Sequence, residues 1–188
     1  MNLTKYLPYK RTNELDPFEK YRVNQAITYI NGSLLDIGCG FNNLVRLNRE
    51  KNPSSLSVGV DVYNWYGRPD IIADARYLPI RDNAFQSISF LASLNHIPIR
   101  KRAIEEARRV LADNGRIYVT MISPILGKII HMLPDRDKRE RGFKEGEKFG
   151  MKSEELISLF QSLDFQLIKK SVFELGLNSL YIFQKSSE

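Results

Sequence analysis

Leu34-Leu35-Asp36-Ile37-Gly38-Cys39-Gly40-Phe41-Asn42-Asn43 is the stretch whose residue types and spacing lend themselves to chemistry. A short apolar run carries an acid, then come two glycines one residue apart, then a helical pattern begins. This predicts a buried strand, a tight turn and a helix N-terminus. Gly38 and Gly40 let the backbone turn sharply and keep Cβ atoms away from a ligand. The helix behind them presents free N–H groups to a negative or polar group. Asp61 follows about 20 residues past Gly40, where an acid can accept hydrogen bonds from two ribose hydroxyls. Asp74-Ala75 comes a strand later, where a carboxylate can accept from an exocyclic adenine amine. Asp36 can orient the turn and favour a cationic ligand. An NAD fingerprint would place a third small residue where Asn43 stands. Three acids around a weakly basic turn instead suit a cofactor with adenosine, a positive centre and no pyrophosphate.

Alternating strands and helices must position these groups. A helix is expected from Asp16-Pro17-Phe18-Glu19, with Asp16 as cap, to about Ile30. Strands are expected at 33–37, 56–62, 70–74, 84–91 and 116–122. Helices fall between them at 43–51 and 98–112. Residues 124–133 are apolar at helical spacing, and 134–150 reads as an exposed, charged loop or lid. A helix capped by Ser153 runs to Leu163. Strands at 165–175 and 179–184, joined by Gly176-Leu177-Asn178, imply an antiparallel hairpin. The expected fold is α/β: a Rossmann-like, doubly wound, mostly parallel seven-stranded sheet with an antiparallel C-terminal hairpin strand. Asp36, Asp61 and Asp74 should border one crevice at the carboxyl ends of the strands.

The bulk numbers set bounds. At 188 residues, 43% hydrophobic and 27% charged, the chain reads as a single globular domain, with an N-terminal arm and helix at 1–32 and a lid-like insertion at 124–150. The net charge of +6 suits an anionic substrate, nucleic acid or an acidic membrane surface without choosing among them. Cys39 is the one cysteine, so neither an internal disulfide nor a cysteine zinc cluster is expected, and a reducing, cytoplasmic location fits. Residues 1–14 lack the apolar core of a secretory signal. No run of about 18 apolar residues predicts a membrane span.

Leu35-Asp36-Ile37-Gly38-Cys39-Gly40, Gly59-Val60-Asp61, Ala73-Asp74-Ala75, Leu78-Pro79-Ile80, Leu94-Asn95-His96-Ile97 and Glu106-Ala107-Arg108-Arg109-Val110-Leu111 together resemble a known family. It is the class I S-adenosylmethionine-dependent methyltransferases, of the small type 11 group. The resemblance covers residues 33 to 123 well and returns in the final hairpin. It implies S-adenosylmethionine as cofactor, with Gly38 and Gly40 on its methionine part. Asp61 and the adjoining Val62 would take the ribose, Asp74 and Ala75 the adenine, and Leu91 would lie near the sulfonium. Two residues depart from the pattern. Asn42 replaces the third glycine of the turn, and asparagine tolerates left-handed angles. Gln86 replaces an acid, removing a negative charge near the cofactor or the loop it packs on.

Several residues carry two readings. His96 is the candidate catalytic base near the transferred methyl, or a loop or helix-cap histidine. Cys39 is a nucleophile or a small packing residue. Trp65 and Tyr66 stack on adenine, or form one core and one exposed aromatic. The apolar segment with His131 covers the sheet or lids a lipid-like substrate. Arg136, Arg139 and Arg141 bind an anionic group or are solvated.

The leading expectation is methyl transfer to a small or lipid/sugar-linked molecule. An RNA-directed methyltransferase is the alternative that the charge suggests. Against it, Leu91-Ala92-Ser93-Leu94 stands where an Asn/Asp-Pro-Pro-aromatic motif would be, and no second cysteine is present. A non-catalytic S-adenosylmethionine-binding protein is the third reading, and a dinucleotide oxidoreductase the fourth.

Overall fold

A computed structural model describes residues 17–124, 146–148 and 150–186. The expectations for Asp16, the 125–133 helix with His131, and Arg136, Arg139 and Arg141 lie outside these residues. Helix α1 spans Pro17–Ile27, strand β1 Leu34–Ile37, α2 Asn43–Lys51, β2 Ser57–Asp61, β3 Ile71–Ile72 and β4 Phe85–Leu91. Then come α3 at Arg100–Val110, β5 at Leu111–Ile122, α4 at Ser153–Gln161, β6 at Phe165–Phe173 and β7 at Asn178–Lys185. The seven strands form one sheet in the order β3-β2-β1-β4-β5-β7-β6. Strands β1 to β5 pair in parallel, and β7 runs antiparallel to both β5 and β6. The order reverses between β1 and β4, which puts a topological switch point at the end of β1.

Strand alternation decides what each face buries. Leu34, Tyr118, Leu180 and Ile182 pack with Val23, Ala26 and Leu44, from α1 and α2. Their neighbours Leu35, Ile117, Val119, Tyr181 and Phe183 pack with Ile104, Ala107, Leu156 and Phe160, from α3 and α4. Each fully buried Leu, Ile, Val or Phe side chain among them contributes about 1.5–3 kcal/mol. Phe160 stacks on Phe183 with ring centroids 4.0 Å apart. The Tyr118 hydroxyl donates to the Tyr29 carbonyl at 2.6 Å, tying the end of the first helix to β5.

Within the described residues the expected elements are present, with shifted ends. β3 is two residues long instead of five. Asp70 turns its carboxylate onto the Gly59 amide at 2.8 Å, and Asp74 folds onto its own Arg76, so neither extends the strand. Ser153 does not cap α4. The N-cap is Lys152, and the Ser153 hydroxyl bonds the Tyr181 hydroxyl at 2.6 Å and accepts from Lys170 Nζ at 2.7 Å. The first helix stops at Ile27, in a turn closed by Tyr29 N–H donating to Ala26. Among the described residues, no helix is long and apolar enough to cross a membrane.

Candidate cofactor site at the switch point

β1 ends in the glycine turn because two amides leave the strand together. Gly38 N–H and Cys39 N–H both donate to the Val60 carbonyl, at 2.8 and 3.1 Å. Gly38, Gly40 and Asn42 all take positive φ, at 75, 52 and 61°. The two glycines face different surroundings. A Cβ on Gly38 would lie under 3.0 Å from the Ser93 side chain, whereas a Cβ on Gly40 would meet nothing within 4 Å. Gly38 is therefore closed by protein, and Gly40 opens onto the surface outside the strand ends. The expectation for Asn42 holds: it accepts the left-handed angle and opens α2.

Asp36 and Asp61 converge on this turn. Asp61 Oδ2 accepts the Gly40 amide and its Oδ1 the Tyr63 amide, both at 2.9 Å. Each oxygen keeps a further acceptor direction for a ligand hydroxyl. Asp36 is buried and accepts from the Ser89 hydroxyl at 2.6 Å. Burial pushes its carboxyl up to about 7; the Ser89 bond opposes this, and the charges of Asp61 and Glu19 add to it. A carboxyl held near neutrality beside a second carboxylate fits a cationic ligand, because a positive charge relieves both. The geometry thus fits the adenosine-and-cation cofactor expected from the spacing.

Asp74 is placed differently from the other two acids. Arg76 binds its carboxylate through Nε and Nη2 at 2.6–3.0 Å, and the Arg76 amide adds a bond at 2.9 Å. Val62 is exposed, Ala75 half-buried, and Leu91 half-buried against the α1–α2 layer. Tyr66 stacks on Phe41 at 6.2 Å, and Trp65 is tilted against both Phe41 and Tyr63. An aromatic cluster therefore flanks the glycine turn. Burial pushes the Cys39 thiol far up, and the charges of Asp36, Asp61 and Asp70 push the same way, so Cys39 is a packing residue. Gln86 sits at the opposite end of the sheet from the turn. Its Oε1 accepts from the Ser33 amide at 2.8 Å, so it holds the entry to β1 and leaves the charge at the turn unchanged.

The segment after β4 closes the other side. Ala92 has φ 54°, a strained angle for alanine, and its amide donates to Thr120 Oγ1 at 2.9 Å. The Ser93 hydroxyl donates to the Ile37 carbonyl at 2.6 Å, docking this segment on the glycine turn. One turn further on, His96 Nδ1 lies 3.2 Å from Glu147 Oε2.

Three residues here were not singled out by the sequence. Ser93 looked like ordinary loop. Asp70 looked like the start of a strand; it gathers Gly59 N, Arg49 Nη2 and Asn42 Nδ2 at 2.8–3.1 Å. Burial alone would raise the Asp70 carboxyl, but these three donors outweigh it and hold it below the usual range. Glu147 was one acid among many in the charged segment.

A doubly wound sheet with an open glycine, an acid on its amide and a second buried acid beneath defines an α/β domain for an adenosine-type cofactor. Residues 35–119 match the family model described as a methyltransferase domain. Over that stretch the chain resembles the class I S-adenosylmethionine-dependent methyltransferases, whose cofactor is S-adenosylmethionine. An uncharacterized protein of Methanocaldococcus jannaschii is 28% identical over 166 residues, covering 80% of this chain and 63% of that protein. The chain thus spans less than two thirds of that relative's length. A demethylmenaquinone methyltransferase of Staphylococcus carnosus is 24% identical over 219 residues, covering 96% of this chain and 89% of that one. An S-adenosylmethionine-dependent methyltransferase of Thermotoga maritima superposes with a TM-score of 0.66 over 88% of each chain at 18% identity, a likeness of fold.

Proposed function

We propose that this chain binds S-adenosylmethionine across the glycine turn and transfers its methyl group to a small-molecule or lipid-linked acceptor in the cytoplasm. The observation that carries the reading is the open face at Gly40, whose amide is held by Asp61 and whose absent Cβ leaves room for a ligand. Bound there, the cofactor supplies an electrophilic methyl carbon on a positive sulfur. Gly38 and Gly40 take its methionine part, Asp61 and Val62 the ribose, and Asp74 and Ala75 the adenine. Leu91 lies toward the sulfonium, and Asp36 meets the positive charge with a carboxyl that ionises more readily beside a cation. His96, on the segment that Ser93 docks to the turn, is the base. Holding the acceptor in line and excluding water would supply much of the rate. The name of the Staphylococcus carnosus relative, matched over 96% of this chain, supports a demethylmenaquinone-like acceptor. In this reading residues 124–150 are part of the same domain.

Titration calorimetry with S-adenosylmethionine tests the first half. Transfer of tritium-labelled methyl groups into the lipid and small-molecule fractions of a cell extract tests the second. Saturable binding with label in those fractions supports the reading. No heat at millimolar cofactor overturns it.

A further inference from the structure

We propose that the end of the β6–β7 hairpin is a docking surface for an anionic lipid bilayer, from which a lipid-linked acceptor is taken. It rests on the methyl-transfer reading above only in naming the acceptor. The hairpin closes on the same rim of the sheet as the glycine turn. Asn178 pairs with Ile122 at the end of β5, and Thr120 with Leu91 at the end of β4. The Ser123 amide donates to the Leu177 carbonyl at 3.0 Å.

The polarity of this hairpin end is inside out. A surface turn ordinarily puts its acid in water and its leucine in the core. Here Glu174 takes φ 51°, a left-handed angle that costs any residue with a Cβ free energy. Its carboxylate turns inward to the buried Asn178, whose Nδ2 donates to Oε2 at 3.4 Å. Oε1 is buried and has no hydrogen-bond partner among the described residues. Leu177, at the tip, is 41% exposed, and Val172 is 58% exposed. Val172 stands on the sheet face opposite to Phe173. On the Phe173 face, Tyr21 of α1 places its ring 5.5 Å from the Phe173 ring and stays 45% exposed. Apolar groups thus ring the hairpin end from both faces of the sheet. Strain, an unpaired carboxylate oxygen and exposed apolar side chains in one turn are unfavourable in water, and contact with an apolar phase offsets them.

The surrounding charge selects a lipid surface. Lys169 Nζ lies 4.6 Å from the centre of the Tyr29 ring, and Lys170 Nζ donates to the Ser153 hydroxyl at 2.7 Å, so one cation stands on each face of β6. Lys20, beside Tyr21, and Lys152, beside Ser153, are exposed as well. Glu155 is paired with Lys148 and Glu174 is turned inward, which leaves the exposed Glu154 against these lysines. Apolar side chains rimmed by lysines match the acyl boundary of a bilayer and its anionic headgroups. The same strand turns away a protein strand. β6 is a sheet edge, but a bulge between Leu167 and Lys169 and the two lysines blunt it.

Co-sedimentation of the full-length protein with vesicles tests this. Vesicles of equal parts phosphatidylcholine and phosphatidylglycerol should carry it down, added salt should release it, and phosphatidylcholine alone should bind it poorly. Leu177→Glu should weaken binding at least about tenfold. Leu56 is more exposed than Leu177 and lies on the opposite rim, where its carbonyl accepts from the first amide of β1. Leu56→Glu should leave binding unchanged. Trp65 is the one tryptophan. In a Trp65→Phe background, Leu177→Trp should shift its emission to the blue when the mixed vesicles are added, which reads insertion even where the charged variant fails to fold. Wild-type protein that stays in solution with the mixed vesicles overturns the proposal. So do equal binding to both kinds of vesicle, an equal loss in Leu56→Glu, and an unshifted tryptophan. A Leu177→Glu protein that keeps its vesicle binding and loses self-association overturns it in favour of a second copy at this face. The vesicles hold no acceptor and no cofactor is added, so failure of S-adenosylmethionine binding overturns the methyltransferase reading separately.

Discussion

Asn42 and Gly59 interlock: the Asn42 side-chain amide occupies the space that a Cβ on residue 59 would need, under 3.0 Å away. Gly59 is in the middle of β2, where glycine ordinarily weakens a strand. Its missing side chain lets Asn42 reach across to the Arg68 carbonyl and Asp70 carboxylate, at 3.0 and 3.1 Å. The turn, β2 and the 62–70 loop are thereby joined at one point.

The first prediction follows. Asn42→Gly brings the turn closer to its family and suits φ 61°, yet it should destabilise the protein by about 1 kcal/mol. It removes a donor from a charged acceptor and opens a gap beside Gly59, which outweighs the relaxed backbone. Gly59→Ala should cost more, about 2–3 kcal/mol, by overpacking. Urea unfolding midpoints decide this; an Asn42→Gly protein more stable than wild type would refute the interlock.

The two glycines should separate fold from ligand. Gly38→Ala forces a Cβ onto Ser93 and should cost at least about 2 kcal/mol. Gly40→Ala carries only the left-handed penalty, about 1–2 kcal/mol, with no clash. S-adenosylmethionine affinity should nevertheless fall at least tenfold in Gly40→Ala, measured by calorimetry on the folded variant. Unchanged affinity would remove Gly40 from the cofactor site.

Asp36 predicts a pH dependence whose sign is fixed. Its folded pKa, about 7, lies above the unfolded value of 3.8. The folded state therefore holds a proton that the unfolded state releases. The stabilisation is full below the unfolded value and is lost as pH rises through 7. Chemical denaturation from pH 5 to 8 should show stability falling by something on the order of a few kcal/mol, and Asp36→Asn should flatten that slope. A cationic ligand favours the carboxylate, so binding below pH 7 should release a proton and tighten as pH rises towards 7. Calorimetry in two buffers of different ionisation enthalpy measures the release; equal heats would argue against contact between the cofactor's charge and Asp36.

Sheet and turn were legible from the sequence because both are local patterns. Leu34 and Leu35, buried on opposite faces, announced a strand covered on both sides, and the strand-helix alternation set its parallel neighbours. Gly38, Gly40 and Asp61 were legible from spacing. Legibility failed where a side chain's partner is remote or on its own loop. Asp70 and Asp74 read as strand residues because nothing local says a carboxylate will turn onto Gly59 or Arg76. Gln86 read as a loss of charge at the site, yet its partner is Ser33 at the other end of the sheet. Glu147 lies 51 residues from His96, inside a run of charges with no periodicity.

Arg100 gives the last prediction. It is a buried cation whose Nη2 bridges two carbonyls, Asn95 and Gly146. Arg100→Ala should lower stability by about 2–3 kcal/mol, because it leaves Gly146 without that donor and a cavity beneath the 146–148 segment. The check is the thermal midpoint, together with faster hydrogen exchange at the Lys148 amide. An unchanged exchange rate would mean that this segment is held by something other than Arg100.

The placement of β7 between β5 and β6 has a consequence for synthesis. A nascent chain emerges from the ribosome in order, so β6 leaves the tunnel before β7, the strand it pairs with. Until Asn178–Lys185 are out, the β5 edge and β6 both lack the strand that their ladder groups pair with. The sheet closes by threading a late strand between two earlier ones. That interval is when this chain most needs a chaperone's shelter, and a stall within β7 would leave its two sticky edges side by side.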